Sequence, residues 1–296
     1  MRVFVTGATG FIGSAVVAEL LGAGHEILGL ARSPEAARAL TAAGAQVQPG
    51  TIEDRDSLRR GAERTDGVIH VASPGQGLAD QVAVSAERTA IRSLGAALAG
   101  SGCPLLVTSA TAGLRPGALA SEQDRWPAHC GQLHAGSEQA ADAMAAWGVR
   151  VVVVRLPPIV YDAGLPNRLR TCQQVVRVAG LAAQAGWRCP CWAAVHRLDA
   201  ARLYRLALEQ PLAPGTRLHA VTVEGVPLDK LAAAWGYPLG QLASPLFRQA
   251  TILHKQLTYF DGADLRATSW LTQQQLGWQP QQESLFASFS DNHCPG

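Results

Sequence analysis

Apolar and polar positions along roughly the first half of the chain follow two alternating rhythms. "RVFVTG" is a β-branched run that ends in glycine. "FIGSAVVAELLGAG" follows with apolar residues at helical spacing and a glycine stop at Gly22 or Gly24. "HEILGLA" predicts a second strand. "PEAARALTAAG" predicts a helix opened by Ser33 as N-cap and Pro34 at the first helical position. The alternation continues with strand "AQVQPG", helix "DRDSLRRGAE" and strand "GVIHVAS". A long helix from about Leu78 to Ala99 is expected to bury Val82, Ala86, Ala90, Leu94 and Leu98 on one face. Strand "CPLLVTSA", helix "SEQAADAMAAWG" and strand "VRVVVVRL" complete the series.

Strands alternating with helices of this length predict βαβ units and a parallel sheet. The strands are apolar almost throughout, as expected where both faces are covered. The expected fold is α/β, a Rossmann-type doubly wound parallel sheet over residues 1–156. From Pro157 the texture changes, with more proline, tryptophan and glutamine. Residues 157–296 are therefore expected to form a smaller, mostly helical C-terminal substrate lobe. A helix near 199–210 should return to the main domain.

"TGATGFIG" places Gly7, Gly10 and Gly13 in a G-x-x-G-x-x-G spacing between the first strand and its helix. The first glycine permits the tight turn and the second lets backbone approach a pyrophosphate. The third allows close helix–sheet packing. The helix N-terminus then offers unpaired N–H groups to phosphate. That context, a strand before and an amphipathic helix after, gives the motif its meaning. Strand two ends in Ala31, where an acidic residue would bind the ribose 2′-hydroxyl of NAD, and Arg32 and Ser33 come next. Arginine can hold a 2′-phosphate, so this points to NADP (NADPH) over NAD; the competing reading is a solvated loop arginine.

Composition narrows the class. The chain has 296 residues, 48% of them hydrophobic, and a net charge of +2 without a dense basic run. That supports a sizeable core and argues against nucleic acid or an anionic membrane surface as partner. No apolar run reaches the roughly 18 residues of a membrane span. No basic, cleavable apolar leader precedes "RVFVTG", so a cytoplasmic location is expected. The six cysteines, Cys103, Cys130, Cys172, Cys189, Cys191 and Cys294, form no regular framework and read as reduced thiols. His129, Cys130, His134, Cys189 and Cys191 fit no common metal-ligand spacing, and no metal is expected. Trp187 and Trp192 either line an apolar substrate pocket or fill the lobe.

"VFVTGATGFIGSAVVAELLGAGHEILGLARS" resembles the extended and atypical short-chain dehydrogenase/reductases, the NAD-dependent epimerase/dehydratase family. "DGVIHVAS", "LLVTSAT", "VVVVRLPPIVYDAG", "AAVHRLDAARLYRLALE" and "LGWQP" resemble later segments of the same family, in order. The resemblance implies cofactor contacts from Gly7, Thr9, Gly10, Phe11, Ile12 and Gly13 in the first loop. Arg32 and Ser33 follow strand two, and Thr51 and Ile52 follow strand three, where the family's usual adenine-contacting aspartate is replaced by Thr51. Val71, Ala72 and Ser73 follow strand four, Thr108 ends strand five and Pro157 follows strand six. Family members often pair through cofactor-domain helices, which leaves a homodimer open, with the helix face from Val82 to Leu98 as its candidate.

The resemblance also implies a catalytic serine, tyrosine and lysine. Ser109 stands in register for the serine, with Thr111 nearby. The Tyr-x-x-x-Lys pair is missing: the first tyrosine is Tyr161, the first lysine is Lys230, and no tyrosine has a lysine four residues later. Counting back from Glu138 puts Cys130 in the tyrosine place and His134 in the lysine place. The cofactor carries the hydride chemistry and the protein has to manage a proton. His134 titrates near neutrality, Cys130 is a weaker donor, and Tyr161 at the entry to the lobe is another candidate. The resulting expectation is an NADPH-dependent reductase of a small organic carbonyl, imine or activated alkene, with a non-standard proton donor. A non-enzymatic NADP-binding sensor and a cofactor-assisted isomerase are the alternatives. A nucleotide-sugar epimerase is the weakest, since it needs a base as good as the missing tyrosinate.

Overall fold

The computed structural model describes residues 1–72, 81–127, 133–162, 165–166, 179–180, 189–235 and 263–285. The N-terminal half runs β1 (Arg2–Thr6), α1 (Phe11–Gly22), β2 (Glu26–Ala31), α2 (Pro34–Ala42), β3 (Gln46–Pro49), α3 (Arg55–Ala62) and β4 (Gly67–His70). Then come α4 (Gln81–Leu98), β5 (Pro104–Ala110), α5 (Leu133–Ala146) and β6 (Arg150–Leu156). Short strands β7 (Ile159–Asp162), β8 (Leu165–Pro166) and β9 (Cys191–His196) lead to α6 (Arg197–Glu209). The remaining described elements are β10 (Thr216–His219), β11 (Val223–Pro227), α7 (Leu228–Ala234) and α8 (Trp270–Leu276).

Seven strands form one sheet in the order β3-β2-β1-β4-β5-β6-β10, and every neighbouring pair is parallel. Strand order reverses at β1, between β2 and β4. A ligand crevice is expected there, beyond the carboxyl ends of the strands. Successive side chains serve opposite faces. Val3 and Val5 pack with α1, α2 and α6, while Phe4 packs with α3, α4 and α5. This two-sided burial explains the unbroken apolar strands.

Local chemistry sets the element starts. Ser33 Oγ accepts from the Ala36 N–H at 3.2 Å, capping α2 with Pro34 in its first turn. Asp54 caps α3 the same way through the Ser57 N–H at 3.0 Å. Helix α1 is apolar over most of its circumference because it lies between the sheet and α6. Arg205 of α6 is tied to Glu19 of α1 at 2.7 Å.

Two expectations change. Val82 is 78% exposed and Ala86 only half-buried. Helix α4 instead buries Ala83, Val84, Glu87, Ala90, Ile91, Leu94 and Leu98. Ala90, Leu94 and Leu98 therefore fill this chain's own core, and most of the face considered for pairing is already covered. The described part of the C-terminal lobe also contains a sheet where helices were expected. Its four strands run β11-β9-β7-β8, with β7 and β9 parallel and the other pairs antiparallel. Trp192 is buried in this lobe's core beside Tyr161, and its Nε1–H donates to the Ala263 carbonyl at 3.1 Å. It fills the lobe; Trp187 lies outside the described residues. Among the described residues, no helix is long and apolar enough to cross a membrane.

Candidate functional site

The glycine loop joins β1 to α1 at the point where strand order reverses. Gly7 has φ +67°, and a Cβ there would lie 2.6 Å from the Ala72 nitrogen, so both conformation and space exclude a side chain. A Cβ on Gly13 would lie 2.0 Å from the Gly7 carbonyl oxygen. The third glycine is thus what lets α1 start against the loop. Gly10 caps α1 in extended conformation with no side-chain cap, and its own N–H turns back to the Gly7 carbonyl at 2.9 Å. The N–H groups of the first turn of α1, from Phe11 to Gly13, have no intrahelical acceptor. Thr9 and Gly10 are exposed, and Phe11 and Ile12 are half-buried. This cradle fits a pyrophosphate: backbone donors converge on a surface that side chains would fill.

The other expected cofactor residues sit at neighbouring strand ends. Val71 and Ala72 follow β4 and are held to β1. The Val71 N–H donates to the Thr6 carbonyl at 3.3 Å, and the Ala72 N–H lies 3.5 Å from Thr6 Oγ1. Arg32 is exposed at the end of β2 and makes no hydrogen bond or ion pair to another described residue. Ser33 is engaged as the α2 cap, and its hydroxyl also bonds the Glu35 carboxylate. Thr51 is exposed beyond β3, while Ile52 packs on the core. Pro157 is buried directly after β6. Thr108 Oγ1 donates to the His70 carbonyl at 2.7 Å and lies 2.7 Å from the Tyr204 hydroxyl, so it fastens β5 to β4 and α6. Ser73 and Cys130 lie outside the described residues.

The expected catalytic residues occupy different surroundings. Ser109 is buried, and its hydroxyl donates to Glu138 Oε1 at 2.8 Å. Glu138, on α5, also accepts from Trp126 Nε1 at 3.1 Å, from Arg155 through Nε and Nη2 at 2.8 Å each, and from Arg217 Nε at 3.0 Å. Burial alone pushes this carboxyl up; the Arg155 contacts, Ser109 and Arg217 outweigh it and hold Glu138 below the usual carboxylate range. Thr111, two residues beyond Ser109, is buried with Oγ1 unpaired.

His134 stands one turn before Glu138 on the same helix and is half-buried. Burial lowers its pKa from the usual 6.5, with Glu87 and Glu138 pulling the other way. Tyr161, on β7, donates its hydroxyl to the Glu283 carbonyl at 3.1 Å and packs edge-on against His196, ring centroids 5.2 Å apart. Burial pushes its pKa up to about 12. Tyr161 thus packs in the core of the second lobe, beside Ile159 and Trp192.

A buried polar chain was not anticipated. Thr6 Oγ1 and His70 Nδ1 are 2.7 Å apart, and His70 Nε2 and Glu87 Oε1 are 3.2 Å apart. Ser137 Oγ donates to the same Glu87 oxygen at 3.4 Å, and Glu87 Oε2 has no hydrogen-bond partner among the described residues. The chain runs under the cofactor loop from β1 to α5. A glutamate three or four positions from Ala83, Ala90 and Ile91 was the sequence signal for it. Among the described residues, no group of three histidine, cysteine, aspartate or glutamate side chains is placed to hold a metal.

Comparison with known proteins agrees with this architecture. A family model described as "NAD(P)H-binding" matches residues 7–176. A Schizosaccharomyces pombe protein, described as the uncharacterised protein C2A9.02, is 40% identical over 294 residues, 99% of each chain. The Saccharomyces cerevisiae protein YLL056C, also described as uncharacterised, is 37% identical over 296 residues, again 99% of each. Among solved structures, the UDP-glucose 4-epimerase from Thermotoga maritima superposes with a TM-score of 0.71 at 17% identity, covering 98% of this chain and 96% of that one. That likeness shows the shared fold, and a shared fold leaves the reaction open. The chain belongs to the NAD(P)H-binding family, with the Rossmann-type architecture of the short-chain dehydrogenase/reductase and epimerase/dehydratase enzymes.

Proposed function

We propose that the protein is an NADPH-dependent reductase of a small organic carbonyl, imine or activated alkene, with His134 as its proton-handling group. The carrying observation is the placement of His134: one turn before the buried Glu138 on α5, in the position the family gives to lysine, with no tyrosine earlier than Tyr161. The bound nicotinamide supplies hydride, so the protein has only to orient the acceptor and deliver a proton.

Burial lowers the His134 pKa against the pull of Glu87 and Glu138, so the imidazolium that delivers the proton is a stronger acid than an ordinary one, and turnover should rise as pH falls. Ser109 spends its hydroxyl proton on Glu138, which leaves Thr111 Oγ1 as the unpaired hydroxyl at the end of β5. An acceptor that needs little polarisation, such as an imine or activated alkene, suits that arrangement better than a simple ketone. Arg32, exposed beside the ribose end of the crevice, supports NADPH over NADH.

The test is NADPH oxidation, followed by nicotinamide absorbance, against a panel of aldehydes, ketones, imines and activated alkenes, with wild type and His134→Gln. Turnover on one substrate class that falls about a hundredfold in the variant, at unchanged NADPH affinity, is the expected result. Equal turnover by both proteins would remove His134 from the mechanism. The bonding of Ser109 to Glu138 favours one second reading, an NADP-binding sensor without turnover. Cofactor binding with no oxidation of NADPH by any panel member, together with a cofactor-dependent change in oligomeric state, would establish that reading instead.

A further inference from the structure

Arg197 is the first residue of α6 and stands between the cofactor loop and the second sheet. Its guanidinium lies over the Phe11 ring, 5.1 Å from the centroid. Phe11 is the first residue of α1, in the loop whose backbone donors face the pyrophosphate crevice. On the other side, Arg197 Nη2 pairs with Asp162 Oδ2 of β7 at 2.6 Å. Asp162 Oδ1 lies 3.4 Å from His196 Nε2. His196 Nδ1 accepts from the Leu198 N–H at 3.2 Å, so the imidazole carries its proton on Nε2, towards Asp162.

One aspartate thus serves two donors, and Arg197 is left short of acceptors. Among the described residues its buried Nε has no hydrogen-bond partner, while 28% of the side chain remains open to solvent. A buried guanidinium N–H with no acceptor is costly, because the donor has given up water for nothing. The cation–π contact with Phe11 holds the guanidinium next to the first residue of α1, beside the glycine loop. A multiply charged oxyanion resting on the α1 N-terminus would supply the missing acceptor.

We propose that Arg197 is a dinucleotide-binding residue that donates hydrogen bonds to the cofactor pyrophosphate. The glycine loop and the substrate lobe then hold the same anion from two sides. Nothing in the G-x-x-G-x-x-G pattern points to a residue so far along the chain. The assignment rests on the family's NAD(P)H binding and is independent of which substrate is reduced. It also gives Asp162 a role: it occupies the guanidinium in the absence of the cofactor, and its negative charge competes with the incoming phosphate.

The test is titration of the full-length protein with NADPH and with NADH by nicotinamide fluorescence, using wild type, Arg197→Ala, Arg197→Gln and Asp162→Asn, with thermal melting of each. Both nucleotides carry the pyrophosphate, so Arg197→Ala should weaken both by a similar factor, about tenfold or more. Arg197→Gln keeps length and one donor and should lose less. Asp162→Asn removes the competing charge and should bind both nucleotides at least as tightly as wild type. Unchanged affinity in a folded Arg197→Ala protein would overturn the proposal. Weakening confined to NADPH would place Arg197 on the 2′-phosphate and overturn it equally. If wild type itself bound neither nucleotide, the cofactor reading would fail with it, an outcome distinct from an Arg197 variant that binds normally.

Discussion

Glu138 is the residue on which the polar interior turns. It accepts five hydrogen bonds from four side chains, each of them shorter than 3.2 Å. Arg155 is buried completely, so its charge depends on this carboxylate. Glu138→Gln should cost about 3–5 kcal/mol in urea unfolding, because the buried Arg155 guanidinium loses its counter-charge, while Arg217 keeps its pairing with Asp142 at 2.6 Å. Ser109→Ala removes one donor of five and should cost only about 1 kcal/mol. A loss for Ser109→Ala as large as that for Glu138→Gln would mean the hydroxyl, and not the ion pairs, organises this cluster. Glu138 was legible in the sequence as the marker that places His134. Its partners were not: Trp126, Arg155 and Arg217 come from three separate segments, and only folding brings them to one carboxylate.

At the level of elements, α1 shows how tightly local sequence can fix a contact. Gly13 has a backbone carbonyl where its Cβ would go, whereas Gly22, at the other end of the same helix, has nothing within 4 Å of that position. Gly13→Ala should therefore lower the melting temperature and weaken dinucleotide binding together. Gly22→Ala should raise stability by about 0.5–1 kcal/mol through helix propensity and a less flexible unfolded chain. Similar stability effects in both variants would show that the loop yields to the new methyl. The β1–α1–β2 unit was readable because strand, turn and helix each carry their own local signal. Helix α4 was harder, since a buried Glu87 interrupts its apolar face and the visible pattern locks onto the exposed Val82. The second sheet was illegible for another reason. "IVYD", "CWAAVH" and "VEGVP" are short runs whose pairing joins distant parts of the chain.

Across the whole molecule, the buried charges make stability depend on pH. His219 Nδ1 faces the Thr268 carbonyl at 2.7 Å, and Nε2 faces Arg155 Nη1 at 3.2 Å. The ring is therefore neutral, with its proton on Nδ1. Burial and then the Arg155 charge lower its pKa from 6.5 to about 4. Between those values the unfolded chain binds a proton that the folded one refuses. This contribution is thus fully present above pH 6.5 and is lost as pH falls towards 4, by about 3 kcal/mol. Glu138, with its lowered pKa, adds loss in the same direction on the acid side. Urea unfolding across this range should show the decline in wild type and a flatter profile in His219→Gln; parallel profiles would count against a neutral His219.

The glycine cradle, the exposed Arg32 and the family match all concern one event, the binding of a nicotinamide dinucleotide at the point where strand order reverses. Titration of purified protein with NADPH and NADH, followed by nicotinamide fluorescence and repeated with Arg32→Ala, tests it most directly. The account predicts tighter binding of NADPH than of NADH by about tenfold or more, and loss of that preference in the variant with NADH binding unchanged. Equal affinity for the two nucleotides in wild type would contradict the NADPH assignment, and binding of neither would contradict the account at its base.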